Sequence, residues 1–298
     1  MDRLKDLAKG FAIGVANVIP GFSGGTMALI FGLYEKIIYA ISHFFEEPLA
    51  ILKTLWAVIV GVILGLISAI FGIVVLLEHY PLPTILFFVG LIIGSLPKIS
   101  KEANLTSKTL GPKLALFTGV ILLLVLTYLE FRVTSLEPGT FFFVLGLLMI
   151  GALASSSMVV PGISGSLVLL IFGYYDYILE TLSDFTKSIL QFDTALLTDT
   201  FGIVLMFGIG VLVGIIVIAK VIEKLLLKRK TLVYGFITGL LIASPFAIFE
   251  KALPKGISFD RFLINSISLL MLIVGMGIAY FLGTKEQTIE ALHASVDE

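Results

Sequence analysis

Residues 20–38 read PGFSGGTMALIFGLYEKII, and residues 161–179 read PGISGSLVLLIFGYYDYIL. At a constant offset of 141, ten of these nineteen positions are identical, where two apolar-biased segments match at roughly two positions by chance. The chain therefore contains an internal repeat. Each copy interrupts a hydrophobic stretch with Pro-Gly-x-Ser-Gly. Paired interruptions at corresponding positions of two halves point to a binding site in transport proteins.

The repeat extends beyond this motif. Gly61-Val62-Ile63-Leu64-Gly65 corresponds to Gly210-Val211-Leu212-Val213-Gly214, and residues Gly90 to Ser95 correspond to Gly239 to Ser244. Both pairs sit at an offset of 149, so the second half carries eight extra residues after the motif. Three matched stations in the same order establish a duplication.

Composition sets the environment. Of the 298 residues 58% are hydrophobic and only 14% charged, with mean hydropathy +1.10, against about 25% charged in soluble domains. The chain reads as a polytopic membrane protein. Its net charge of −1 leaves no basic footprint for nucleic acid. It has no cysteine, which removes disulfides, thiolate metal sites and cysteine nucleophiles. The N-terminal MDRLKDLAKG is too charged for a cleavable signal and reads as an amphipathic lead-in to the first membrane element.

Ten hydrophobic segments follow, at about 7–19, 22–41, 51–77, 84–97, 113–130, 141–158, 163–181, 200–226, 232–248 and 262–283. At 1.5 Å per residue the first covers only about 20 Å of a hydrocarbon core about 30 Å thick. Pro20-Gly21 follows at once, as Pro161-Gly162 does in the second half. The expected fold is an all-α polytopic membrane protein of two inverted five-segment repeats, residues 1–132 and 133–298. Each opens with a re-entrant helical hairpin, 7–41 and 141–181, followed by three transmembrane helices. The alternative is two full crossings joined at the far surface.

Parity holds under either choice. Three or five crossings per half are both odd, so the second half is inverted and both termini lie on one side. With the N-terminus cytoplasmic, Arg3, Lys5, Lys9, Lys36, Lys53, Lys98, Lys101, Lys108, Lys113, Lys220, Lys224, Lys228, Arg229, Lys230 and Lys285 fall inside. Only Arg132, Lys187, Lys251, Lys255 and Arg261 fall outside. That excess favours cytoplasmic termini, with 249–261 the dissenting loop.

The interruption has its own chemistry. Proline stops the incoming helix and glycine permits a tight tip. The next helix then starts near Ser23 or Ser164, where free N–H groups and the positive end of the macrodipole collect. Ser23, Thr26, Ser164 and Ser166 add hydroxyls, and Gly24, Gly25 and Gly165 allow close approach to the backbone. Together they make an anion nest without a formal charge. Two nests facing each other suit a phosphate or carboxylate that must also be released. The competing structural reading is that the motif only breaks a helix and packs small residues.

Glu35 and Asp176 form a second matched pair, each following Gly-x-Tyr, about 20 Å beyond its tip. Placed at a helix end, a carboxylate is unfavourable, so its retention in both copies suggests coupling to protons or sodium. An interfacial acid beside a tyrosine anchor is the plainer reading. Asn17 can donate into the first tip, and Ser155, Ser156 and Ser157 approach the second; helix–helix hydrogen bonding is the alternative for both. Gly61/Gly65 and Gly210/Gly214 read as packing seams. His43, His79 and His293 are scattered, so neither a metal nor a catalytic histidine is indicated.

The run Ala16-Asn17-Val18-Ile19-Pro20-Gly21-Phe22-Ser23-Gly24-Gly25-Thr26, with Phe31-Gly32-Leu33-Tyr34-Glu35, closely resembles the opening signature of the bacterial polyprenyl-phosphate transporters of PopT type, formerly a family of unknown function. The resemblance covers essentially the whole chain. It implies translocation of undecaprenyl phosphate from the outer to the inner leaflet of the cytoplasmic membrane, for reuse in peptidoglycan and other envelope polymers, with no cofactor. It also implies that Asn17, Ser23, Gly24, Gly25, Thr26, Ser164, Gly165 and Ser166 cradle the phosphate. Leu167 stands where the first copy has Thr26, so the half-sites need not contribute equally.

Two rival functions come from other classes. Membrane undecaprenyl-diphosphate phosphatases also use inverted re-entrant helices, and one of their motifs resembles Pro-Gly-x-Ser. Their chemistry calls for glutamates, a histidine and an arginine beside the serine, whereas Gly24 and Gly165 follow the serines here. A secondary transporter of a small soluble anion is the other rival.

Overall fold

Inside lipid a chain must satisfy its own backbone, and long apolar runs do so as helices. The computed structural model describes residues 3–17, 23–129, 140–252 and 266–294, and every element in these is an α-helix. The first half supplies α1 (Arg3–Asn17), α2 (Gly24–Ile30), α3 (Tyr34–Ser42), α4 (Pro48–His79), α5 (Pro81–Glu102) and α6 (Leu110–Tyr128). The second supplies α7 (Phe141–Val159), α8 (Gly165–Ile171), α9 (Tyr175–Gln191), α10 (Thr194–Ala252) and α11 (Ser266–Ala294). Among the described residues five helices are long and apolar enough to cross a membrane: α4 through residue 69, α5, α6, α7 and α10. Helix α10 has 59 residues in all, far more than one crossing of a hydrocarbon core about 30 Å thick needs. It is divided by Arg229, whose φ of −145° and ψ of 44° leave the helical region, into limbs 194–228 and 230–252.

Two expectations need correction. The segments 22–41 and 163–181 are not single returning helices. Each stops after a seven-residue helix and restarts three residues later, at Phe31-Gly32-Leu33 and at Phe172-Gly173-Tyr174. The cause is the repeated Phe-Gly. Gly32 and Gly173 adopt φ of 64° and 71°, left-handed angles that a β-carbon disfavours. In the second half α8 and α9 meet at 116°.

Glycines set the helix pairing. Helix α1 lies along α4, with Gly10 and Gly14 facing the Val58 and Val62 carbonyls and Gly61 and Gly65 facing those of Leu7 and Phe11. In the same way α7 lies along limb 194–228, where Gly210 and Gly214 face the carbonyls of Leu148 and Ala152. The remaining pairs cross between halves. Helix α5 packs on α11 through Gly90, Gly94 and Gly275, and α6 packs on limb 230–252 through Gly119, Gly235 and Gly239. Small residues let backbones close in this way because lipid offers no hydrophobic drive between helices.

Helix α5 and limb 230–252 hold the most buried side chains, among them Ile85, Ile92, Ile237, Leu240 and Ile248. Meanwhile Trp56, Ile63, Ile67, Phe117, Ile121, Leu212 and Val217 are exposed around the outside. So large an apolar surface is the mark of a membrane-facing shell.

A β-carbon at Gly65 or Gly214 would collide with facing backbone, whereas at Gly202 it would meet nothing within 4 Å. Gly65→Leu and Gly214→Leu should each lower the melting temperature in detergent, in line with an overpacking cost of about 1–3 kcal/mol or more. Gly202→Ala should leave it unchanged or raise it slightly. Thermal scanning of the three purified variants checks this order.

Candidate functional site

The two interruptions meet inside the bundle. Ser23 caps α2, its backbone extended at φ −117° and ψ 143°, and its hydroxyl accepts the Thr26 N–H at 3.2 Å. The Asn17 side chain reaches forward from the end of α1, where its Oδ1 accepts the Gly24 N–H at 3.2 Å. Its Nδ2 donates back to the Ile13 carbonyl at 3.0 Å. Asn17 therefore ties the helix before the first break to the helix after it. Pro20 and Gly21, expected to form that first tip, lie outside the described residues.

The second break is described throughout. Gly162 takes φ +90°, and its N–H donates to Thr26 Oγ1 of the first break at 2.9 Å. Its carbonyl accepts from Ser244 Oγ at 3.3 Å. Ser164 begins α8 but caps nothing with its side chain; its hydroxyl instead lies 2.7 Å from that of Ser166. Ser23, Thr26 and Ser164 are buried, Thr26 almost completely at 1% exposure. Gly25 packs toward the Met158 and Val159 carbonyls at the end of α7, 3.1 Å from where a β-carbon would stand.

Three backbone donors are thus held by neutral side-chain oxygens: Gly24 by Asn17, Thr26 by Ser23, and Gly162 by Thr26. The breaks are not equivalent. Thr26 supplies the contact between them, and Leu167, its counterpart at the offset of 141, has no hydroxyl to return it. Of the serines expected near the second break, Ser156 bonds the Gly214 carbonyl at 3.2 Å. Ser155 and Ser157 bond carbonyls of their own helix.

Glu35 and Asp176 stand elsewhere, and the reading of them as acids at helix ends is corrected. Each lies in the first turn of a new helix, α3 or α9, where the macrodipole favours a carboxylate. Glu35 has further partners. Its Oε1 accepts from the Tyr234 hydroxyl at 2.7 Å and from Lys230 Nζ at 3.0 Å, and Lys230 also reaches Glu102 Oε2 at 3.5 Å. Next to it Tyr34 is buried, and desolvation, aided by the Glu35 charge, pushes its phenol well above the usual range. It stays a neutral donor.

Sequence reasoning missed Ser244, Lys230, Tyr234 and Glu102. Ser244 left a signal, since it matches Ser95 in the third repeated station. The other three left none, because none has a like counterpart in the other half.

The profile of a family described as VCA0040-like, undecaprenyl phosphate translocase-like, matches residues 13–258, a stretch that holds both breaks and the Glu35 cluster. The chain belongs to that family. Two curated relatives agree. A protein of Staphylococcus aureus named polyprenyl-phosphate transporter is 34% identical over 286 residues, covering 93% of this chain and 95% of its own. A Vibrio cholerae protein of the same name is 30% identical over 258 residues, covering 82% of this chain and 77% of its own. No solved structure matches.

Within this family member, Thr26→Val should destabilise the fold. It strands the buried Gly162 N–H at a cost of about 1–3 kcal/mol, while Thr26→Ser should be close to neutral. Melting temperatures of the two variants, compared side by side, decide it.

Proposed function

We propose that this chain carries polyprenyl phosphate, in the first place undecaprenyl phosphate, from the outer to the inner leaflet of the bacterial cytoplasmic membrane, returning the carrier lipid for reuse in envelope synthesis. The observation that carries the reading is the hydrogen bond between Gly162 N–H and Thr26 Oγ1, which brings both interruptions to one buried place. The names of the two relatives support the substrate.

The chemistry follows from the three capped amides. A phosphate oxygen can take the place of Thr26 Oγ1, Ser23 Oγ or Asn17 Oδ1, so each N–H exchanges one acceptor for a stronger, charged one. The displaced hydroxyls of Ser23 and Thr26 can then donate to the same phosphate, as can Ser164 and Ser166, while Gly24, Gly25 and Gly165 leave room for it. With no lysine or arginine in either interruption, the hold rests on dipoles and is reversible. The isoprenoid tail stays in lipid, and only the head needs this path.

In this reading the halves 1–132 and 133–298 are inverted repeats, and the pairs α1–α2 and α7–α8 are re-entrant hairpins. Rocking of the halves opens the site to each leaflet in turn. Helices α1 and α2 have 15 and 7 residues, about 22 and 10 Å, which supports a hairpin that turns back within the membrane in the first half; α7, with 19 residues, is long enough to cross, so the second hairpin rests on the repeat. The lysine-rich end, with both termini, faces the cytoplasm. Glu35 and Asp176 are the acids through which a proton or sodium gradient would act.

Reconstituted into vesicles, the protein should speed leaflet exchange of labelled undecaprenyl phosphate. Ser23→Ala with Ser164→Ala should lower exchange at least tenfold while the fold persists. Full exchange by that folded double variant rejects the site, and release of phosphate from the diphosphate lipid would mark a phosphatase instead. Exchange that ignores both a proton gradient and the changes Glu35→Gln and Asp176→Asn rejects coupling.

A further inference from the structure

The Glu35 cluster has a feature the interruptions lack: formal positive charge inside a cavity. A space of about 210 Å³ opens beside Gly32 and is lined by Tyr34, Glu35, Lys36, Lys98, Lys230 and Tyr234, with Glu102 at its edge. A second space of about 500 Å³ adjoins it across Glu35 and Lys36; Ile38, Ile51, Leu55, Leu226 and Leu227 make most of its remaining wall apolar, with Glu47 and Glu223 also lining it. A charged chamber and an apolar chamber that share a wall have the shape of an amphiphile, head in one and chain in the other.

The charged chamber is assembled from both halves. Tyr34, Glu35, Lys36, Lys98 and Glu102 come from the first, and Lys230 and Tyr234 from the second, just past the break at Arg229. Lys230 has two carboxylates on one ammonium and lies 5.5 Å from the centre of the Tyr234 ring. Tyr34, only 3% exposed, lines the same chamber. Lys9 Nζ donates to the Phe31 carbonyl at 2.8 Å, offsetting the negative end of α2 where it approaches the chamber.

The duplication supplies a control within the molecule. At the offset of 149, Lys230 corresponds to Pro81, Tyr234 to Ile85 and Lys98 to Ala247. At the offset of 141, Lys36 corresponds to Tyr177 and Glu35 to Asp176. The other half thus keeps the first of the two acids and none of these three cations, and it carries Lys251 at the Glu102 position. The chamber is a one-sided addition, and it stands at the end that holds Lys9, Lys36, Lys98 and Lys230.

We infer that this pair of chambers is a second station for the phosphate monoester of a polyisoprenoid, distinct from the paired interruptions and, among the described residues, built at one end of the molecule. Lys230 and Lys98 take the phosphate charge, and the Tyr34 and Tyr234 hydroxyls donate to its oxygens. The isoprenoid units nearest the head lie on Ile51, Leu55 and Leu226. Without ligand, Glu35 holds the place of the phosphate on Lys230 and Tyr234, and the incoming dianion displaces it. The station rests on the lipid-phosphate reading above. It adds a charged site where the interruptions offer only dipoles.

The test uses the full chain in nanodiscs of phosphatidylethanolamine and phosphatidylglycerol, with undecaprenyl phosphate carrying a photoreactive group on the isoprenoid next to the phosphate. Cross-linked peptides are mapped by mass spectrometry. Label is expected on residues 50–55 and 223–227. Lys230→Gln should lower it at least tenfold, and Lys230→Arg should restore most of it. Glu35→Gln should raise it several-fold by removing the competing carboxylate, whereas a purely structural Glu35 would make the same change lower it. Ser23→Ala with Ser164→Ala should leave label at the station.

Label confined to the interruptions overturns the station and leaves the reading above intact. Label at the station that is insensitive to Lys230→Gln also overturns it. Label at neither place overturns both. Unlabelled undecaprenyl phosphate should compete. Competition as strong by undecaprenol, or by inorganic phosphate at equal concentration, overturns the assignment to a lipid phosphate.

Discussion

A backbone amide buried away from water must find an acceptor, and in this molecule the Gly162 N–H finds one on the opposite half, at Thr26 Oγ1. Much of the centre is arranged to make that bond available. Two helices are interrupted so that non-helical backbone lies inside the protein, and the Gly24, Thr26 and Gly162 donors are then met by side-chain oxygens. Asn17 and Ser23 do this within the first interruption. Ser244, from limb 230–252, steadies Gly162 from the carbonyl side. Irregular backbone is tolerated at membrane depth only on such terms.

Around that centre the helices are drawn together by the absence of side chains. Gly10, Gly14, Gly61 and Gly65 seat α1 on α4, and Gly210 and Gly214 seat α7 on α10. The exchange of α11 and α6 between halves, each packed on the other half's buried helix, makes the halves interdependent. A polar contact at the interruptions and a charged contact at Glu35–Lys230 then connect the same two halves at different places. Both contacts join groups that a phosphate could part, which is a physical reason to seek substrate at each.

Some of this was legible in the residues. Fold class, the duplication, the first and second breaks and the glycine seams all follow from hydropathy, matched motifs and helix geometry. The second pair of breaks was also written in the chain, as Phe31-Gly32 and Phe172-Gly173, but an apolar run of twenty residues concealed it. One glycine inside a helical pattern is ordinarily tolerated. Only the left-handed angles at Gly32 and Gly173 show that these glycines end a helix. That one difference moves Glu35 and Asp176 from an unfavourable helix end to a favourable helix start.

By itself the sequence determined that this is a duplicated, membrane-embedded helical chain with paired Pro-Gly-x-Ser-Gly interruptions, because those properties depend on local composition and on self-similarity. Tertiary structure decided what faces what. Lys230 lies 195 positions from Glu35, and Gly162 lies 136 from Thr26, and no periodicity links such pairs. The repeat could not reveal them either. Thr26 is matched by Leu167, and Lys230 by Pro81, so these two polar contacts between the halves are ones in which the halves differ.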